Sequence, residues 1–118
     1  MTKTLSDIDH SGLLEYWQRQ LRLQDWDIDV EIVRPLAIEG KAGDTRTTRE
    51  VRQAWIRISD PSLSEQDFPE HFLDIEVTLV HELLHVAFAA NIETHDEVEP
   101  AIDATARALV ALNRGEKR

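Results

Sequence analysis

The spacing of apolar residues changes period along this chain, and each change marks an element. Leu13, Leu14, Trp17 and Leu21 recur at helical spacing while Glu15, Arg19 and Arg22 fall elsewhere, which predicts an amphipathic helix over about 11–23. From Trp26 the period drops to two. Trp26, Ile28, Val30 and Ile32 alternate with Asp27, Asp29 and Glu31, the pattern of a strand with one buried face. Arg34-Pro35 ends that strand, and the Gly, Asp and Thr content of 40–48 predicts a connecting loop. A second strand follows over 51–59, with Ala54, Ile56 and Ile58 inward and Trp55 and Arg57 outward. Asp60-Pro61-Ser62 closes it, and the polar stretch 62–70, bordered by Pro61 and Pro69, predicts an exposed link into a helix.

Between about Glu70 and Ala90 the apolar residues surround the whole cylinder: Ile75, Val77, Leu79, Val80, Leu83, Leu84, Val86 and Phe88 leave no polar face. A helix of this kind is buried on most sides and forms the centre of its domain. Residues 91–99 predict a short loop, and Pro100 stands where a helix favours proline as its first residue. A last helix over 100–113 carries Ile102, Ala106, Leu109 and Val110 at helical spacing and ends at Gly115. The expected fold is α+β: a single domain over 1–118 with an N-terminal helix, a small mostly antiparallel sheet, a buried helix and a C-terminal helix.

A chain of 118 residues has room for one modest core, and so for one site rather than several. Its 13 basic and 23 acidic side chains give a net charge of −10, which opposes the attraction to phosphate that dominates nucleic-acid binding. The one basic concentration in mid-chain, Arg46, Arg49, Arg52 and Arg57, reads as a solvated strand and loop face. No segment approaches the roughly 20 apolar residues of a membrane span, and 1–17 holds no apolar run of signal-peptide length. With no cysteine, neither disulfides nor thiolate ligands are available, and a cytoplasmic location is the expectation.

The lack of cysteine leaves His and carboxylate as the only metal ligands, and the buried helix carries His81-Glu82-Leu83-Leu84-His85. One helical turn is 3.6 residues, so the two imidazoles share a face and can bind one ion, while Glu82 lies about 100° away. Glu82 is therefore placed to reach a water on the ion, as a general base must. This composition yields H-E-x-x-H by chance in roughly two chains in a hundred, and two imidazoles with a carboxylate on the most apolar helix cost several kcal/mol unless something engages them. Zinc in a catalytic site takes three protein ligands, so a third is needed. Candidates downstream are His95, Asp96, Glu97 and Glu99. Of these, Glu99 has Asp103 four residues on, positioned to accept the other ring N–H of a ligand histidine. The metzincin extension is excluded: Phe88 and Asn91 occupy its Gly and His positions, and Met1 is the sole methionine.

His81-Glu82-Leu83-Leu84-His85 followed by Glu99-Pro100-Ala101-Ile102-Asp103 resembles the gluzincin pattern. The order of helix, W-x-I-x-V strand, second strand and motif helix is similar to that of minimal gluzincin-like metallopeptidases, many of them encoded by phages and prophages. The resemblance implies a zincin-like fold, one Zn2+ held by His81, His85 and Glu99, Asp103 behind a ligand, and a peptide or protein substrate. Residue types imply metal-assisted hydrolysis with Glu82 as general base, and His71, His95, Tyr16 and the arginines are side chains able to donate to the oxyanion. A reading from another class is a non-catalytic module stabilised by zinc that binds a protein partner. The same ligand residues serve either reading; Glu82, for which a purely structural site has no need, favours the enzyme.

Overall fold

The first amphipathic stretch forms α1, Leu13–Gln20, with Trp17 as its one fully buried side chain. In the computed structural model, which describes residues 3–8, 10–63, 74–88 and 95–115, the Trp17 indole N–H donates to Glu76 Oε2 at 2.7 Å. That bond ties α1 to the central helix. Helix α1 is shorter than its predicted span. Arg22 turns at φ +58°, and the Gln18 amide donates to the carbonyls of Leu23 and Trp26, folding the chain back toward the sheet.

Strands β1 (Asp27–Val33), β2 (Gly43–Thr48) and β3 (Gln53–Ser59) form one sheet in the order β1-β3-β2. β1 runs parallel to β3, with Ile28 opposite Ala54 and Ile32 opposite Ile58. β2 runs antiparallel to β3, with Thr45 opposite Ile56. On the outer side of β1, Lys3 forms an antiparallel bridge with Ile32. The alternation predicted for β1 and β3 is realised: Ile28, Ile32, Ala54, Ile56 and Ile58 are buried, and Asp27, Asp29, Glu31 and Trp55 are exposed.

β2 corrects the sequence reading, which predicts a loop there. Gly43-Asp44-Thr45-Arg46-Thr47-Thr48 has no apolar alternation, because this edge strand sets Gly43 and Thr45 against a buried glutamate rather than against hydrocarbon. β3 also begins later than predicted. Residues 49–51 form a 3-10 turn with Val51 exposed, and Arg52 at φ +50° completes the reversal from β2.

The central helix α2 is Ile75–Phe88, and ten of its 14 residues are buried. Its start lies at Ile75 rather than near Glu70, since Asp74 Oδ1 accepts the backbone N–H groups of Glu76 and Val77 at 3.1 and 3.3 Å as an N-cap. Helix α3, His95–Asn113, begins five residues before the predicted start. Pro100 lies inside it. A proline there costs one backbone hydrogen bond, which is offset because the apolar face runs on through Val98 and Ile102 into the core. The end is as predicted: Gly115 at φ +71° donates its N–H to Leu112. The link over 64–70, the helix's extension to Ala90 and the loop over 91–94 lie outside the described residues. Among the described residues no helix is long and apolar enough to cross a membrane.

The largest fully buried side chains, Ile32, Ile56, Ile58, Leu79, Val80, Leu83 and Val110, come from the sheet, α2 and α3. The motif helix is thus the slab against which both the sheet and α3 pack. The α+β class, with helices layered on one small sheet, is the architecture expected.

Candidate metal centre

Helix α2 presents His81 and His85 one turn apart, ring centroids 5.1 Å from each other, on the side that meets α3. Because α3 is helical from His95, Glu99 projects from its second turn toward both imidazoles. His81 Nε2 lies 2.6 Å from Glu99 Oε1, and His85 Nε2 lies 2.9 Å from Glu99 Oε2. One carboxylate thus bridges two imidazoles. Ligand atoms of the three residues all fall within 4.8 Å of one another, and the group can hold a metal ion. The donor set fits one: a tetrahedral ion with bonds of roughly 2.0–2.1 Å separates its ligands by about 3.3 Å. Two imidazole nitrogens and a carboxylate are donors that zinc accepts.

Behind this trio, Asp103 Oδ1 lies 3.4 Å from His81 Nδ1, the ring nitrogen facing away from Glu99. The four-residue spacing on α3 therefore delivers one carboxylate to each side of the same imidazole. Asp103 is itself ion-paired with Arg107, whose Nε lies 3.2 Å from Oδ2. The side chains of His95, Asp96 and Glu97, the other third-ligand candidates, lie outside the described residues, as does His71.

Glu82 is 5% exposed and stands apart from the trio. Thr45 on β2 donates its hydroxyl to Glu82 Oε1 at 2.6 Å. Burial pushes the Glu82 carboxyl up to about 7, against the Thr45 hydroxyl and the nearby His81, which pull it down, and with Glu99 and Asp44, which push it further. A divalent cation on the trio would favour the charged form and draw it back.

No protein-family model, curated protein or solved structure matches this chain. The site's chemistry is accordingly read from its own residues. The sequence points to five of them; in the fold His81, His85, Glu99 and Asp103 meet at the junction of α2 and α3, while Glu82 faces β2. It does not reveal Thr45 or Gly43, which reach Glu82 from a strand nearly 40 positions earlier; a pair of small residues two apart is the only local trace. Tyr16 is not part of the site: its hydroxyl donates to Asn113 Oδ1 at the far end of α3, 14 residues or roughly 21 Å from Glu99. Arg57 pairs with Asp44 on the sheet, and Arg52 pairs with Asp25 between the turns that precede β3 and β1.

Proposed function

We propose that this chain is a zinc-dependent metallopeptidase of gluzincin type, with His81, His85 and Glu99 as metal ligands and Glu82 as general base. The observation that carries the reading is the position of Glu82. It is buried beside a three-ligand group without belonging to it, which is the place of a residue that handles a proton rather than an ion. A zinc ion there supplies a Lewis acid that polarises a carbonyl and acidifies a water.

The remaining work falls to the chain. Asp103, with Oδ1 3.4 Å from His81 Nδ1, favours the proton on that nitrogen and so the tautomer that leaves Nε2 as a ligand lone pair. Glu82 takes a proton from the attacking water as the C–O bond forms, and gives it to the amine nitrogen as the C–N bond breaks. A peptide substrate suits the sheet as well. The outer edge of β1 is covered by Lys3, whose backbone exchanges hydrogen bonds with Ile32 at 3.1 and 2.7 Å, whereas β2 has no strand on its outer side among the described residues. An extended chain laid along β2 passes the strand that touches Glu82, with backbone groups to pair.

The test is Glu82→Gln in the zinc-loaded protein, assayed on an unstructured peptide mixture with metal content measured alongside. The amide keeps the shape but cannot accept the proton, so zinc is retained and hydrolysis falls by at least a hundredfold. Zinc-loaded parent protein that cleaves nothing, or a variant as active as the parent, overturns the reading.

A further inference from the structure

Glu82 meets β2 at two residues on one face of that strand, Gly43 and Thr45. Thr45 Oγ1 donates to Oε1 at 2.6 Å and also lies 3.5 Å from the Glu82 backbone oxygen, so the hydroxyl sits against both the carboxylate and the helix turn that carries it. At Gly43 the relation is steric. A Cβ placed there would stand 3.1 Å from Glu82 Oε2, 3.0 Å from Thr78 Cγ2 and 3.1 Å from the Arg57 carbonyl oxygen. All three distances are tighter than ordinary van der Waals contact, so a Cβ there would require Thr78, the Arg57 carbonyl and Glu82 to give by a few tenths of an ångström. The φ of Gly43 is not in the left-handed region, so the residue is small there for space rather than for backbone conformation.

We infer that Thr45 and Gly43 form a cradle that holds Glu82 in one orientation, Thr45 engaging Oε1 and Gly43 leaving the space for Oε2, which assigns Oε2 as the oxygen that accepts the proton. Both are positioning residues, acting through Glu82. The assignment of Oε2 rests on the peptidase reading; the cradle does not. A glutamate has three side-chain torsions, and an unpinned carboxylate divides its time among rotamers, few of which face a reacting water. A hydroxyl donor to one oxygen and a space beside Gly43 fitted to the other reduce that freedom before substrate arrives.

The experiment joins a stability cycle to a kinetic one, on the full chain at one fixed zinc concentration. Urea unfolding of the parent, Thr45→Val, Glu82→Ala and the double variant reads the contact directly. Thr45→Val should shift the unfolding equilibrium constant by roughly tenfold in the parent and hardly at all once Glu82 is gone. Additive effects overturn the cradle. In the kinetic arm, Thr45→Val should lower kcat by roughly ten- to a hundredfold with KM and zinc content unchanged, and Thr45→Ser should restore it to within a few-fold. Gly43→Ala should lower kcat in the same way; should that variant not fold, the Thr45 pair decides. Coupling in urea with an unchanged kcat in Thr45→Val overturns the positioning role. A parent that hydrolyses nothing removes the peptidase reading and the Oε2 assignment with it, while the urea cycle still decides the cradle.

Discussion

His81 is the residue on which the site turns, because it is addressed from both sides: Glu99 at Nε2, Asp103 at Nδ1, with Arg107 behind Asp103. A chain of this kind gives each position a graded weight. Alanine at His81, His85 or Glu99 should abolish tight zinc binding, since each removes one of three protein donors. Asp103→Asn should weaken it by roughly ten- to a hundredfold, because the amide no longer takes a full ionic hydrogen bond from the ring. Competition against a chromogenic chelator reads both, and full zinc affinity in Glu99→Ala would show that the third donor lies elsewhere. The histidine pair and Glu82 are legible in the sequence because a helix converts spacing into direction without help from the rest of the fold. Glu99 is legible as the favoured of four candidates because Asp103 follows four residues on; that it reaches both imidazoles depends on the packing of α3 on α2. Thr45 is not legible at all, since its contact spans 37 positions and depends on where an edge strand lands.

At the scale of elements, the position of α3 on α2 decides whether the donors meet, and a polar clasp far from the metal centre secures it. Arg114, just past the end of α3, donates to Asp74 at 2.8 and 3.0 Å and to Glu76 at 2.9 and 3.1 Å, joining the last turn of one helix to the first turn of the other. Burial would raise the Asp74 carboxyl, but the Arg114 guanidinium and the N–H groups of Val77 and Glu76 outweigh it and hold it below its ordinary 3.8. A depressed carboxylate contributes stability above its unfolded pKa, and that contribution is lost as pH falls through the folded value. Asp74→Asn keeps an N-cap and loses the charge. It should therefore cost about 1 kcal/mol at pH 7, after discounting for the solvent exposure of the guanidinium, and the difference from the parent should vanish in strong acid. Urea midpoints measured across pH 2–7 check this; a gap that persists at pH 2 would assign the cost to the cap instead. The elements themselves are legible where burial follows a regular period, as in β1, β3 and the body of α3, or where apolar residues surround the cylinder, as in α2. β2 is hidden because its inward residues face Glu82, and the start of α3 is hidden because Pro100 is a helix-start signal that tertiary packing has overridden.

For the molecule as a whole, a net charge of −10 sets the field in which any peptide approaches. The sheet's outer face adds Asp27, Asp29 and Glu31 in one exposed row on β1. Long-range attraction of this kind raises the association rate of cationic chains and is screened over roughly 8–10 Å at ordinary ionic strength. For the zinc-loaded protein, kcat/KM on a lysine-rich peptide should thus fall by roughly three- to tenfold between 20 and 200 mM salt, about the range over which that screening sets in, whereas a neutral peptide of equal length should be little affected. Identical salt dependence for the two would place the charge away from the path of approach.

The same plainness that hides β2 in the sequence has a consequence for life in a crowded solution. An uncovered sheet edge is a template on which other copies can polymerise. Here the open strand offers Asp44 and Arg46 on one face, glycine and threonine on the other, and no run of hydrocarbon on which a growing fibril could close. With Lys3 laid over the opposite edge, β2 is the hydrogen-bonding margin left open among the described residues, and its composition makes it a poor seed for aggregation.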